Sequence, residues 1–323
     1  MGFSKLSLIP KAPFWQYFQV LTGWVVLFFL VLHFIRNELL LIEAKKLLWD
    51  NGISVLPFIG GFSLIQHAVE VYKLHICFPR IHWIRITVGH LRGVSYTMIG
   101  PAILMEFAGK QSMLNNTSER AALLNTVALN RIAQGFPTIV FGCISLFFLS
   151  LNPDFSRILD KLIQWNLLDI PMLEPVVWIV VAISLLGIYR IVPLKEIYTL
   201  IIDSYHLMLS TNRGLASRLI LLSVVRYLVF ICQYLLFFLC LGIDYTSLFS
   251  LSVFIAFTFF FRMLMPSVGG LQDVAWRALL GLIWTGATGI TFTQWSLGVF
   301  VIYTSNHLLP TVITLFLGLL RRA

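Results

Sequence analysis

Leu91 to Lys110 reads LRGVSYTMIGPAILMEFAGK, and Met265 to Arg277 reads MPSVGGLQDVAWR. Each lies in a mostly apolar region broken by residues that a smooth helix avoids: Gly93, Gly100 and Pro101 in the first, Pro266, Gly269 and Gly270 in the second. Proline has no backbone N–H and clashes with the preceding turn, and glycine loses the most conformational freedom when it is made helical. A carboxylate follows each break, Glu106 after Pro101 and Asp273 after Gly270. In hydrocarbon, backbone groups freed by a break are tolerated only where protein or a watery cavity covers them. The two stretches therefore predict discontinuous helices around a polar interior.

The rest of the chain sets its solvent. Of 323 residues, 59% are hydrophobic and only 11% are charged, against about 25% charged in soluble domains. The mean hydropathy is +0.88. Helices of about 20 apolar residues cross a hydrocarbon core of about 30 Å. Six such spans are expected, at Phe14 to Ile35, Gly52 to Val71, Ala121 to Ser150, Pro175 to Pro193, Leu219 to Ile243 and Trp295 to Leu319. The fold class is all-α, a polytopic membrane helix bundle forming one transmembrane domain over 1–323, with half one about 14–150, a central outer loop 151–174 and half two about 175–320. The connections Leu151 to Glu174 and Ile191 to Arg218 are shorter than the ~50 residues of an independent domain, so function must lie in the membrane part. The first apolar run follows two lysines but has no small-residue cleavage site, and is expected to be retained rather than cleaved as a signal peptide.

Lysine and arginine outnumber aspartate and glutamate by 23 to 14. In a membrane protein this excess is explained by the cationic bias of cytoplasmic loops, so no nucleic-acid partner is inferred. One set of connections holds fourteen cations: Lys5, Lys11, Lys73, Arg80, Arg85, Arg92, Lys110, Arg120, Arg190, Lys195, Arg213, Arg218, Arg321 and Arg322. The alternate set holds five: Arg36, Lys45, Lys46, Arg157 and Lys161. The imbalance predicts both termini inside, in the cytoplasmic (inner) membrane. With six full crossings, Arg92 to Ala108 must then be re-entrant from the cytoplasmic side and Leu248 to Trp284 from the outer side, giving an inverted repeat. If the second region crosses fully twice there are eight crossings with the same sidedness. Arg36 to Asp50 is expected to form an amphipathic interfacial helix.

A charge at the centre of a membrane helix costs at least about 2.5–3.5 kcal/mol, so intramembrane charges are candidates for function. They are Glu106, Arg131, Arg226, Arg262, Asp273 and Arg277, joined by Asn306 and His307 ahead of Pro310. Two readings of Asp273 and Arg277 stand: mutual neutralisation at i,i+4, or, with the half-helix ends and the other arginines, binding of an anionic group such as a lipid phosphate. Arg131 and Arg226 either line the interior with Gln134 and Gln233 or snorkel to the interface. His67 and Glu70, with His75, His82 and His90 beyond them, lack the second spaced pair that a metal site needs. Cys77, Cys143, Cys232 and Cys240 form no CxxC pair. No metal, cofactor, nucleotide loop or catalytic nucleophile is expected.

The two broken stretches, with Arg131, Arg226-Tyr227, Gln233-Tyr234 and Asn306 to Pro310 (NHLLP), resemble the flippase-like transmembrane domain of the lysylphosphatidylglycerol synthase family over nearly the whole chain. The family pattern has Pro followed by Gly-Glu in the first half and Pro-x-x-Gly-Gly-x-Gly-Glu with a downstream Arg in the second. Here Met105 precedes Glu106, and Gln272-Asp273 replaces Gly-Glu. The resemblance implies two oppositely inserted re-entrant hairpins and movement of a lipid between leaflets. The soluble aminoacyl transferase domain of full-length members has no counterpart in this sequence, so lipid synthesis is not expected. The partner expected is a membrane lipid with an anionic or lipid-linked headgroup, and a homo-oligomer is compatible with the sequence. The alternatives are an accessory subunit of a lipid or glycan synthesis system, and an intramembrane lipid-modifying enzyme using Glu106 or Asp273 as a base.

Overall fold

A backbone in lipid must satisfy its own hydrogen bonds, and helices do so within one segment. A computed structural model describes residues 42, 46, 49, 53–97, 102–114, 119–151, 213–243, 248–264, 273, 274, 277, 278, 281 and 290–320. Among these residues the regular structure is entirely helical. A short 3-10 turn, Ile53–Val55, leads into α1 (Leu56–Cys77), followed by α2 (Trp83–Thr97), α3 (Ala102–Lys110), α4 (Arg120–Ser150), α5 (Arg213–Cys240) and α6 (Leu248–Leu264). Helix α7 (Phe292–Tyr303) continues through a π-helical turn, Thr304–Leu308, into α8 (Leu309–Leu320).

Among the described residues four helices are long and apolar enough to cross a membrane: Ile53–Cys77, Ala122–Ser150, Gly214–Cys240 and Phe292–Thr314. They fall on four of the six expected spans. The expected spans Phe14 to Ile35 and Pro175 to Pro193 lie outside the described residues, as do the break residues Gly100, Pro101, Pro266, Gly269 and Gly270. Of Arg36 to Asp50, only Ile42, Lys46 and Trp49 are described.

Local sequence explains where several helices start and stop. Proline occupies the first turn of α1, where its missing N–H costs nothing. The Thr291 side chain accepts from the Gln294 backbone N–H while the Gln294 side chain accepts from that of Thr291, a capping box that starts α7. Helix α5 ends on Gly242, whose φ of 83° is left-handed. The amide of Ile243 then reaches back to the Phe238 carbonyl at 3.2 Å, closing the last turn. Pro310 cannot donate to the Asn306 carbonyl four residues earlier, and the chain widens into the π turn just before it.

Helices α2 and α3 have 15 and 9 residues, about 22 and 14 Å at 1.5 Å per residue, each shorter than the ~30 Å core. They pack antiparallel, with their glycines making the contact. A Cβ on Gly89 would meet Met113, one on Gly93 would meet Lys110 and the Glu106 carbonyl, and one on Gly109 would meet the backbone of Gly93 and Arg92. Gly89 and Gly93 are four apart on one face of α2, the small-x-x-x-small spacing that lets helix backbones approach closely. A buried cluster of Val71, Leu74, Ile86, Met113, Leu123 and Val127 joins the end of α1, the start of α2, the segment after α3 and the start of α4. Both ends of the α2/α3 hairpin therefore sit at the level where α1 ends and α4 begins.

Helix α5 is the hub, packing on α1, α4, α6 and α7. Its Tyr234, Phe237 and Phe238 form an aromatic core with Phe254 and Trp295, the Trp295 and Phe238 rings stacking at 5.7 Å. Glycine makes room here too: a side chain at Gly281 would overlap Trp295, and one at Gly142 on α4 would overlap Phe260 on α6.

Gly109→Ala is expected to destabilise the protein by at least about 1–3 kcal/mol, because the added methyl meets backbone, which cannot rotate away. Gly60→Ala on α1, where a Cβ meets nothing within 4 Å, is expected to leave the midpoint unchanged or to raise it. Thermal unfolding in detergent checks both; equal midpoints for the two variants would contradict the hairpin packing.

Candidate functional site

Among the described residues three buried carboxylates organise the interior, and each is held by two cations. Glu70 on α1 accepts from Lys73 one turn later at 2.7 Å and forms an ion pair with Arg226 on α5 at 3.2 Å. It also accepts from the side-chain amides of Asn130 at 2.8 Å and Gln134 at 3.1 Å, both on α4. Glu106 on α3 is bound by Lys110, one turn on, and by the Nε and Nη2 atoms of Arg131 on α4, at 2.7 and 2.5 Å. Both guanidinium nitrogens fall on the same carboxylate oxygen, Oε2, while Lys110 holds Oε1. Asp273 is bound by Arg262 at the end of α6 and by Arg277 at 2.8 Å.

Arg277 is also fixed on its other faces. It lies over the Phe259 ring at 4.9 Å and near Phe230 at 5.5 Å, where the ring quadrupole attracts a cation. Its carbonyl accepts from the Trp295 indole at 2.7 Å, which ties the charge cluster to the aromatic core.

The guanidiniums of Arg131, Arg226, Arg262 and Arg277 face one cavity of about 310 Å³. Gln134, Thr138 and Ser223 add polar groups, whereas Tyr227, Phe230, Phe259 and Met263 form an apolar wall. Among the described residues, the Arg226 Nε, the Arg277 Nε and the Tyr227 hydroxyl are buried without a hydrogen-bond partner. Met263 is 45% exposed, as are Phe136 (48%) and Ile139 (45%) near it on α4. An exposed apolar surface on α4 and α6 therefore adjoins the cavity.

The four arginines singled out from the sequence thus converge on one space. Glu106 and Asp273 stand behind them and hold them in place. Asp273 and Arg277 pair at i,i+4, the first of the two readings, and Arg277 also lines the cavity. Asn306 lies apart from the cavity lining, in a second polar cluster. There the Gln233 Oε1 accepts from Gln66 at 2.8 Å and from Asn306 at 2.9 Å, while the Gln233 amide donates to the Ile59 carbonyl at 2.9 Å.

Glu70, Lys73, Lys110 and His90 need correction. Lys73 and Lys110 enter the loop count above as solvated cations, but their side chains are 1% and 0% exposed, because Glu70 and Glu106 neutralise them inside the bundle. His90, weighed above only as part of a metal site, is buried and bonded to His67 at 3.1 Å. Glu70, considered only as a metal ligand, is instead the anchor of Arg226. The signal was present as Glu70-x-x-Lys73 and Glu106-x-x-x-Lys110, carboxylates with a lysine at helical spacing near a span end. Among the described residues no group of three metal-ligating side chains is gathered.

Fold and site together define a membrane-embedded helical protein with an arginine-lined interior cavity. No family model, curated protein or solved structure matches this chain.

Glu106→Gln leaves Lys110 buried beside a neutral amide and is expected to cost about 3–5 kcal/mol. Glu106→Gln with Lys110→Met removes both charges and is expected to recover a large part of that loss. Thermal midpoints of the single and double variants in detergent measure the difference; a double variant no more stable than the single one contradicts the pairing.

Proposed function

We propose that the chain is a flippase-like lipid transporter, with the anionic headgroup of a membrane lipid held in the arginine cavity during passage between leaflets. The observation that carries this reading is the convergence of four guanidiniums, from α4, α5, α6 and the segment after α6, on a cavity that adjoins an exposed apolar surface. Arginine donors satisfy a headgroup oxyanion, and the adjoining apolar surface accommodates a hydrocarbon chain. The resemblance to the transmembrane domain of the lysylphosphatidylglycerol synthase family points the same way.

The architecture we infer has six crossings and two re-entrant hairpins in an inverted repeat, with both termini on the cytoplasmic side of the inner membrane. Support comes from the shortness and antiparallel packing of α2 and α3, whose two ends share one hydrophobic cluster with the ends of α1 and α4. The repeated carboxylate followed four residues later by a cation, Glu106 with Lys110 and Asp273 with Arg277, supports the correspondence of the two broken segments. Removing the buried Lys73 and Lys110 from the loop count leaves twelve cations against five, so the predicted sidedness does not change.

Reconstituted into liposomes with a fluorescent anionic phospholipid, the protein is expected to speed equilibration of the probe between leaflets. Arg226→Gln is expected to slow it by about tenfold, the loss of one charge-assisted contact; Gly60→Ala leaves it unchanged. Rates equal to those of empty vesicles across several anionic and polyprenyl-linked lipids would sink the proposal.

Sidedness has its own test. In a variant lacking the native cysteines, Arg80→Cys and Glu119→Cys, exposed positions flanking the hairpin, are expected to resist an impermeant maleimide in intact cells and to react in inside-out vesicles. Labelling of either in intact cells would overturn the orientation.

A further inference from the structure

We propose that the cavity selects a lipid-linked phosphate bearing two or more negative charges, a phosphomonoester or diphosphate, over a singly charged phosphodiester. The inference rests on the headgroup reading above and adds to it a charge requirement. Among the described residues, Lys73 and Arg226 share Glu70, and Lys110 and Arg131 share Glu106. Those two groups alone leave two positive charges without a carboxylate.

Two further cations, Arg262 and Arg277, share Asp273. In a bundle interior the effective dielectric is low and uncompensated charge is expensive, so a ligand that matches the excess binds far better than one that halves it. A phosphodiester brings one negative charge. A phosphomonoester brings about 1.5 to 2 at neutral pH, and a diphosphate more.

Four arginines line the same cavity, and Arg131 and Arg226 belong to the two groups that carry the excess. The Phe230, Phe259 and Met263 wall and its exposed edge give the attached chain an exit, which a free phosphate would not use.

Two lipids with the same acyl chains isolate the charge: dioleoyl phosphatidic acid and dioleoyl phosphatidylmethanol differ by one methyl ester. Purified full-length protein in nanodiscs of neutral lipid is titrated with each, and with inorganic pyrophosphate, at about pH 8, above the second phosphate pKa of about 6. Phosphatidic acid is expected to bind about tenfold more tightly than phosphatidylmethanol, a difference of about 1.4 kcal/mol. Pyrophosphate is expected to compete weakly.

The preference is expected to shrink to about threefold or less in Arg226→Gln, a change that leaves Glu70 with Lys73, Asn130 and Gln134. Equal affinities for the two lipids, both weakened by Arg226→Gln, would overturn the charge requirement and leave the headgroup site standing. Binding of neither lipid would overturn the site as well. Tight pyrophosphate binding with both lipids inert would make the ligand a soluble phosphate and overturn the lipid assignment.

Discussion

Carboxylates taken out of water must be neutralised where they lie, and the interior of this bundle is arranged around three of them. Glu70, Glu106 and Asp273 each hold two cations. The cost of burying one ion is several kcal/mol even after relaxation, and only close geometry with further hydrogen bonds offsets it. Glu70 shows how far this goes, since Asn130 and Gln134 fill its remaining lone pairs. The carboxylates also fix arginine side chains that would otherwise be free to reach the interface. Arg131, anchored through two of its nitrogens on Glu106, is turned inward although its side chain retains 35% exposure. Snorkelling is thereby overruled by pairing, and the cavity exists because of the residues behind it.

The same constraint links the site to the fold. Glu106 sits on the short helix α3, which reaches α4 through Arg131 while its glycine face lies against α2. Asp273 is tied through Arg277 to Trp295 and so to the aromatic core around α5. Charged and aromatic packing are therefore not separate layers. The Arg277 guanidinium lies over the Phe259 ring while its backbone carbonyl holds an indole.

Much of this was legible in the sequence, and what was not has a physical reason. Four spans and the four arginines were marked by hydropathy and by the high cost of intramembrane charge. The end of α1 was misread: the expected span stops at Val71, whereas the helix runs to Cys77 and carries Lys73 into the protein. Hydropathy charges each ion its full desolvation cost and takes no account of a partner one turn away. Lys110 was misplaced for the same reason, with Glu106 as the partner. Asn306 was recognised as polar and helical, but nothing in its neighbours reveals Gln66 and Gln233, 240 and 73 residues distant in the chain. Contacts of that range are a property of the packed bundle, and single-chain periodicity does not encode them.

The Gln233 side chain has an unequal role among the polar groups. Its one carbonyl oxygen receives an amide from α1 on one side and from the π-helical turn on the other, and its own amide is committed to Ile59. Flipping the group would set donor against donor, so its orientation is fixed by its partners. Geometrically, a shared acceptor tolerates swivelling of its two donors about the oxygen and does not tolerate their separation. The Ser63 hydroxyl on α1 also donates to the Ser305 carbonyl of the π turn at 3.0 Å, so the helices before and after α5 meet along a short polar seam in which Gln233 is the shared acceptor.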